Sequence, residues 1–209
     1  MYAPRQSHIP PASPHFDLVV FAGSAGGLAA VSAVLRALPS DWSVPIAVLL
    51  HRSVQQPNLL PHVLAGRTSL RVKLVETGDV MRPGTVYVAR PDLHLVLQPD
   101  RTFACHDGAR IEHLLSSADP LLYSAAQVLG PRLLAVVLTG GGHDGARGVL
   151  EVHDRGGTVI AQDRATSQAF GMPSSAIATG GVTYTLPLER IPTALSELVR
   201  TGRLATPAE

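Results

Sequence analysis

The stretch Asp17-Leu-Val-Val-Phe-Ala-Gly-Ser-Ala-Gly-Gly-Leu28 restricts the fold of this chain more than any other. A short apolar, partly β-branched run ends at Gly23, Ser24 follows, and a helical pattern begins within four residues. A strand that passes this directly into a helix is half of a βαβ unit, which demands a parallel neighbour and a helix packed back on the sheet. The turn between them projects a serine hydroxyl at the carboxyl edge of the sheet, where the amides of the next helix also point. Two chemistries use that geometry: a nucleophilic serine and a phosphate-binding loop.

The rest of the chain repeats the alternation. Ala29–Leu38 carries helical spacing and stops at Pro39, and Pro45–Leu50 is a fully apolar strand ending at His51. A short helix over Leu59–Leu64 and a strand over Arg71–Val75 follow. Gly84–Ala89, Leu93–Leu97 and Thr102–Cys105 lie between Pro-Asp turns and are expected as an antiparallel ribbon at one side of the sheet. Ser117–Leu129 reads as a helix capped by Ser116 or Ser117, with Asp119 in its first turn. Leu133–Leu138 is the most apolar strand and runs into Thr139-Gly-Gly-Gly-His-Asp-Gly145. Ala146–Arg155, Gly157–Ala161, Pro173–Thr179, Gly181–Leu186 and Ile191–Thr201 complete an alternation of helix and strand. The expected fold is α/β: a doubly wound, mostly parallel sheet, Rossmann-like in three αβα layers, with a short antiparallel ribbon. Residues 1–15, with four prolines, are expected to be a flexible tail, and residues 16–209 a single domain.

Three apolar strands end in reactive groups, Ser24, His51 and Asp144. Parallel strands direct their carboxyl ends to one rim, so residues far apart in sequence converge there. A serine needs a base to take its proton, and a histidine base needs a carboxylate to fix its tautomer. Each residue also has a plainer role: Ser24 as a helix N-cap, His51 as a loop histidine, Asp144 as the cap of the helix from Ala146. Four glycines within Thr139–Gly145 exceed what capping requires, and they open a loop whose amides can meet an oxyanion. The phosphate-loop alternative lacks Gly-x-Gly-x-x-Gly and Gly-Lys-Ser/Thr, and His51 stands where a dinucleotide fold places an acidic ribose ligand.

Composition narrows the partners. A net charge of +1 gives no general attraction to nucleic acid, and no apolar run reaches the roughly 20 residues of a membrane-spanning helix. The single Cys105 excludes an internal disulfide and fits a reducing, cytoplasmic setting. His62, His94, His106, His113 and His153 show no metal-ligand spacing, so neither a metal nor another cofactor is expected.

Together these motifs resemble the catalytic domain of the chemotaxis receptor methylesterase family, CheB. The resemblance runs through Gly23-Ser-Ala-Gly-Gly27, His51, Gly78-Asp79, Pro83–Ala89, Asp107-Gly108, Leu138–Gly145, Ala161-Gln-Asp163, Phe170-Gly-Met-Pro173 and Gly180-Gly-Val182, in the family's order. It implies hydrolysis of glutamate γ-methyl esters, and deamidation of particular glutamines, on chemoreceptor signalling helices. Ser24 would be the nucleophile, His51 the base and Asp144 its orienter. The backbone of Gly140, Gly141 and Gly142 would serve the oxyanion, with Met172 near the ester. Three departures stand out: Ala25 replaces a threonine beside the nucleophile, Gly141 replaces a methionine, and Leu115-Ser-Ser-Ala-Asp119 replaces a segment beginning with arginine. No receiver domain precedes the first strand, so regulation is expected to be absent or supplied in trans by a separate protein. A receptor-binding or scaffold module of the same fold, without turnover, is the alternative.

Overall fold

The computed structural model describes residues 15–52, 58–107 and 116–205. The Pro-rich segment before residue 15, together with Gly108, His113 and Leu115, lies outside them. Nine strands occur among the described residues: β1 (Leu18–Gly23), β2 (Ile46–Leu50), β3 (Arg71–Leu74), β4 (Thr85–Val88), β5 (His94–Leu97), β6 (Phe103–His106), β7 (Leu133–Val137), β8 (Thr158–Gln162) and β9 (Tyr184–Leu186). The helices are α1 (Gly27–Ala37), α2 (Leu60–Ala65), α3 (Ala118–Leu129), α4 (Ala146–Asp154), α5 (Gly171–Ala178) and α6 (Ile191–Thr201).

Seven strands form one sheet in the order β3-β4-β2-β1-β7-β8-β9, and every neighbouring pair is parallel. From β1 the chain winds outward on one side and then crosses back to β7 on the other. The winding direction therefore reverses between β1 and β7, and ligands of open α/β sheets bind outside the carboxyl ends of strands at such a reversal.

The strand alternation explains the layers. Val19, Phe21, Ile46, Val48, Val136 and Ile160 face α1 and α6, whose apolar stripes include Val31, Val34, Leu195 and Leu198. Leu18, Val20, Ala47, Leu49, Ala135 and Val159 face the opposite layer, built from α3, α4, α5 and the β5–β6 ribbon. Strands buried on both faces need a nearly continuous apolar sequence, as β1, β2 and β7 have.

One expectation is corrected. Gly84–Ala89 does not belong to the antiparallel ribbon; β4 sits inside the main sheet, parallel to β2 and β3. All four of its residues are buried, as two covered faces require, and only β5 and β6 form the ribbon. The ribbon packs back through Phe103 against Tyr87 (ring centroids 5.0 Å apart), and the Tyr87 hydroxyl donates to Val80 O at 2.7 Å. No helix among the described residues is long and apolar enough to cross a membrane.

Candidate active site

The parallel register brings the site together. Gly23 pairs with Leu50, so Ser24 and His51 leave adjacent strands side by side, and His51 N–H donates to Gly23 O at 3.1 Å. On the other flank Ser24 N–H donates to Thr139 O at 3.0 Å, placing the glycine-rich loop after β7 against the serine.

The turn at Ser24 is closed by Gly27 N–H donating to Ser24 O at 2.8 Å. Gly26 caps α1 in the left-handed region (φ +80°), so the N-cap reading of Ser24 is not what the chain adopts. A side chain at Gly26 would also run into Gln168 and Thr139. The Ser24 hydroxyl is left at a half-buried edge beside the exposed Ala25.

Asp144 lies in the loop after β7 and is 4% exposed. Gly145, without a side-chain bond, occupies the N-cap of α4, so the carboxylate does not cap that helix. It turns instead to α3 and His51. His51 Nε2 lies 2.7 Å from Asp144 Oδ2, Ala118 N–H donates to the same oxygen at 2.7 Å, and the Ser117 hydroxyl donates to Oδ1. Burial pushes the carboxyl pKa up, but the bonds from His51, Ser117 and Ala118 outweigh it and hold Asp144 below the ordinary carboxylate range. An ionised Asp144 can only accept, so the ring proton sits on Nε2 and Nδ1 of His51 carries the free lone pair. Among the described residues no hydrogen bond joins Ser24 to His51; such contacts commonly tighten only when substrate arrives.

The loop amides divide into two sets. Gly140 N–H donates to Ala169 O at 2.9 Å and is already committed. The N–H groups of Ala25, Gly141 and Gly142 have no acceptor among the described residues, and Ala25 follows the serine directly. Met172 is fully buried beneath the loop, its N–H bonded to Gly140 O at 2.8 Å. A Cβ on Gly140 would come 2.4 Å from Met172 Sδ and 3.0 Å from both Ser24 Cβ and N. Gly140→Ala is therefore expected to destabilise the fold by about 1–3 kcal/mol through overpacking, read as a lower urea midpoint at unchanged slope.

Sequence reasoning missed four supporting residues. Ser117 was legible only as a helix cap. Thr139, 3% exposed, receives Ala169 N–H at 2.9 Å on a hydroxyl that lies 2.9 Å from Ala25 O, and Gln162 Oε1 accepts from its amide at 2.8 Å. Arg52 donates to Ala89 O at 3.0 Å and to Asn58, and so fastens the chain after His51 to the end of β4. Cys105 lies on the ribbon, and burial pushes its thiol pKa up, away from nucleophilic character. Among the described residues no cluster of three or more His, Cys, Asp or Glu could hold a metal.

A parallel sheet with a serine, a histidine and a carboxylate on one rim is the class of architecture on which many serine hydrolases are built. The family profile described as CheB methylesterase matches residues 19–195, and the chain belongs to that family. It is 42% identical over 197 residues to the protein-glutamate methylesterase FrzG of Myxococcus xanthus, covering 94% of this chain and 58% of that protein. It is 39% identical over 196 residues to a protein-glutamate methylesterase/protein-glutamine glutaminase of Anaeromyxobacter dehalogenans, covering 94% of this chain and 57% of that protein. The chain thus spans little more than half the length of these two relatives. The crystal structure of the Thermotoga maritima CheB methylesterase catalytic domain superposes with a TM-score of 0.83 at 36% identity, over 88% of this chain and 99% of that one.

Proposed function

We propose that the protein is a serine esterase that hydrolyses glutamate γ-methyl esters on chemoreceptor-type signalling helices in the cytoplasm. The observation that carries this reading is the buried Asp144 bound to His51 Nε2 at 2.7 Å, with Ser24 on the adjacent strand end. A buried carboxylate is costly to a fold, and one aimed at a histidine supplies what a general base requires, a fixed tautomer and a stabilised imidazolium. Membership of the methylesterase family supplies the substrate class.

In this reading Ser24 Oγ attacks the ester carbonyl carbon as His51 Nδ1 takes the hydroxyl proton, while Asp144 stabilises the imidazolium. The oxyanion meets the amide of Ala25 and those of Gly141 and Gly142, which have no acceptor among the described residues. Collapse expels methoxide, which leaves as methanol with the proton from His51. Water activated by the same ring then releases the glutamate carboxylate and regenerates Ser24. Deamidation of glutamine follows the same steps with ammonia as the leaving group. The exposed rim at Ala25, Gly141, Gly142 and His143 suits a side chain presented on the surface of a helix.

The test is methanol release from a receptor-helix peptide carrying glutamate γ-methyl ester, with mass spectrometry of the trapped acyl-enzyme. Release with the acyl group on Ser24 is the expected result. Absence of both across about pH 6–9, the range bracketing histidine titration, would overturn the reading.

A further inference from the structure

We infer that Ser117 is a positioning residue of this site: its buried hydroxyl fixes the Asp144 carboxylate against His51. The inference rests on the triad reading above and assigns a role to a group that the mechanism itself does not use.

Ser117 has no solvent exposure, and its amide and hydroxyl are both engaged. Its Oγ accepts from Asp119 N–H at 3.2 Å, which is an ordinary N-cap bond and accounts for the helix start at Ala118. That bond uses a lone pair and leaves the hydroxyl proton free to point elsewhere. It points to Asp144 Oδ1, 27 residues away in sequence. A cap needs only the acceptor, so the donation to Asp144 is an additional function of the same atom. The orientation is fixed from both sides, because an amide can only donate and a carboxylate can only accept.

The backbone amide of Ser117 is anchored as well. It donates to Nδ1 of His94, 6% exposed, at 3.3 Å, which sets Ser117 on the ribbon as well as on α3. Ala118 N–H then reaches Asp144 Oδ2, the oxygen that faces His51. The two carboxylate oxygens are thus held by consecutive residues, and rotation of the carboxyl group would break both bonds together. Of the other ionisable groups near this carboxylate, Asp119 turns Oδ1 to Gly148 N–H at 2.8 Å, His94 acts through Ser117, and His143 precedes Asp144 in the loop.

The experiment compares wild type, Ser117→Ala and Ser117→Thr in methanol release from the methyl-ester peptide, with kcat and KM measured across about pH 5–9. Ser117→Ala is expected to lower kcat about 10- to 100-fold, the usual worth of a hydrogen bond to a charged group, with KM changed by no more than about twofold. The acid limb of its stability, read as the urea midpoint between about pH 2 and 5 around the ordinary carboxylate range, is expected to move to higher pH, because a carboxylate with one donor fewer holds protons more strongly. Ser117→Thr, which keeps the hydroxyl, should restore both. If Ser117→Ala does not fold, Ser117→Cys, close in volume and a poor donor, carries the same comparison. Wild-type kcat and acid limb in the variant lacking the hydroxyl would overturn the inference. So would a fall in kcat with an unmoved acid limb, the signature of a cap alone, which Ser117→Thr would restore as well. A wild-type protein that releases no methanol would overturn the triad reading and this inference with it.

Discussion

Ser24→Ala is expected to cut ester turnover by at least about ten-thousand-fold while leaving the protein as stable as before. The first half follows from the chemistry: removing the nucleophile of a triad leaves only binding and oxyanion contacts, and losses of this size or larger follow. The second half follows from the structure. The Ser24 hydroxyl is half-buried and makes no hydrogen bond among the described residues, and α1 is capped by Gly26. Had Ser24 been the N-cap, alanine would lower stability by about 1 kcal/mol. With no cap bond to lose, the change should stay within about 0.5 kcal/mol. The two measurements, turnover and urea midpoint, together separate a catalytic serine from a structural one. Retained methanol release would move the nucleophile elsewhere; a lowered midpoint at full activity would restore the capping role.

The rim was legible in sequence because each of its three groups ends a short apolar run, and parallel strands leave no choice about which edge those ends share. The same logic failed for β4, whose Pro-Asp turn at Pro91-Asp92 resembles the one at Pro99-Asp100 between the two ribbon strands. Only its burial on both faces, which depends on α3 and the ribbon lying over it, separates it from a ribbon strand. Within the site, the unreadable parts are the non-local hydrogen bonds. A capping serine has the same local signature whether or not its proton reaches Asp144, and nothing near Gly140 in sequence shows that its amide is taken by Ala169. The plain roles weighed for Ser24 and Asp144 fell for the same reason. Glycines in the left-handed region, Gly26 (φ +80°) and Gly145 (φ +87°), start the helices that follow them, and this releases both side chains for the rim.

Asp144→Asn should lower kcat by about a thousand- to ten-thousand-fold, for a reason specific to this carboxylate's surroundings. Three donors converge on it: His51 Nε2–H and Ala118 N–H on Oδ2, and the Ser117 hydroxyl on Oδ1. An amide offers one acceptor oxygen. If that oxygen serves His51 and Ala118, the NH2 group faces the Ser117 hydroxyl, whose proton is left without an acceptor in a buried site. If the amide turns over, His51 meets a donor, and the ring proton moves to Nδ1, where it blocks the base. Either arrangement lowers stability by about 1–3 kcal/mol at neutral pH, the cost of an unsatisfied buried polar group. The pH dependence supplies an independent check. The folded Asp144 pKa lies below its unfolded value of about 3.9, so its contribution to stability is complete above that value and is lost as pH falls through the folded pKa. The asparagine variant has no such group. Its unfolding free energy should therefore decline less steeply than that of wild type below about pH 4, and the two curves should converge as the acid is increased. Parallel curves would mean that the carboxylate is no more acidic in the fold than in the unfolded chain, and that the three donors do not hold it ionised.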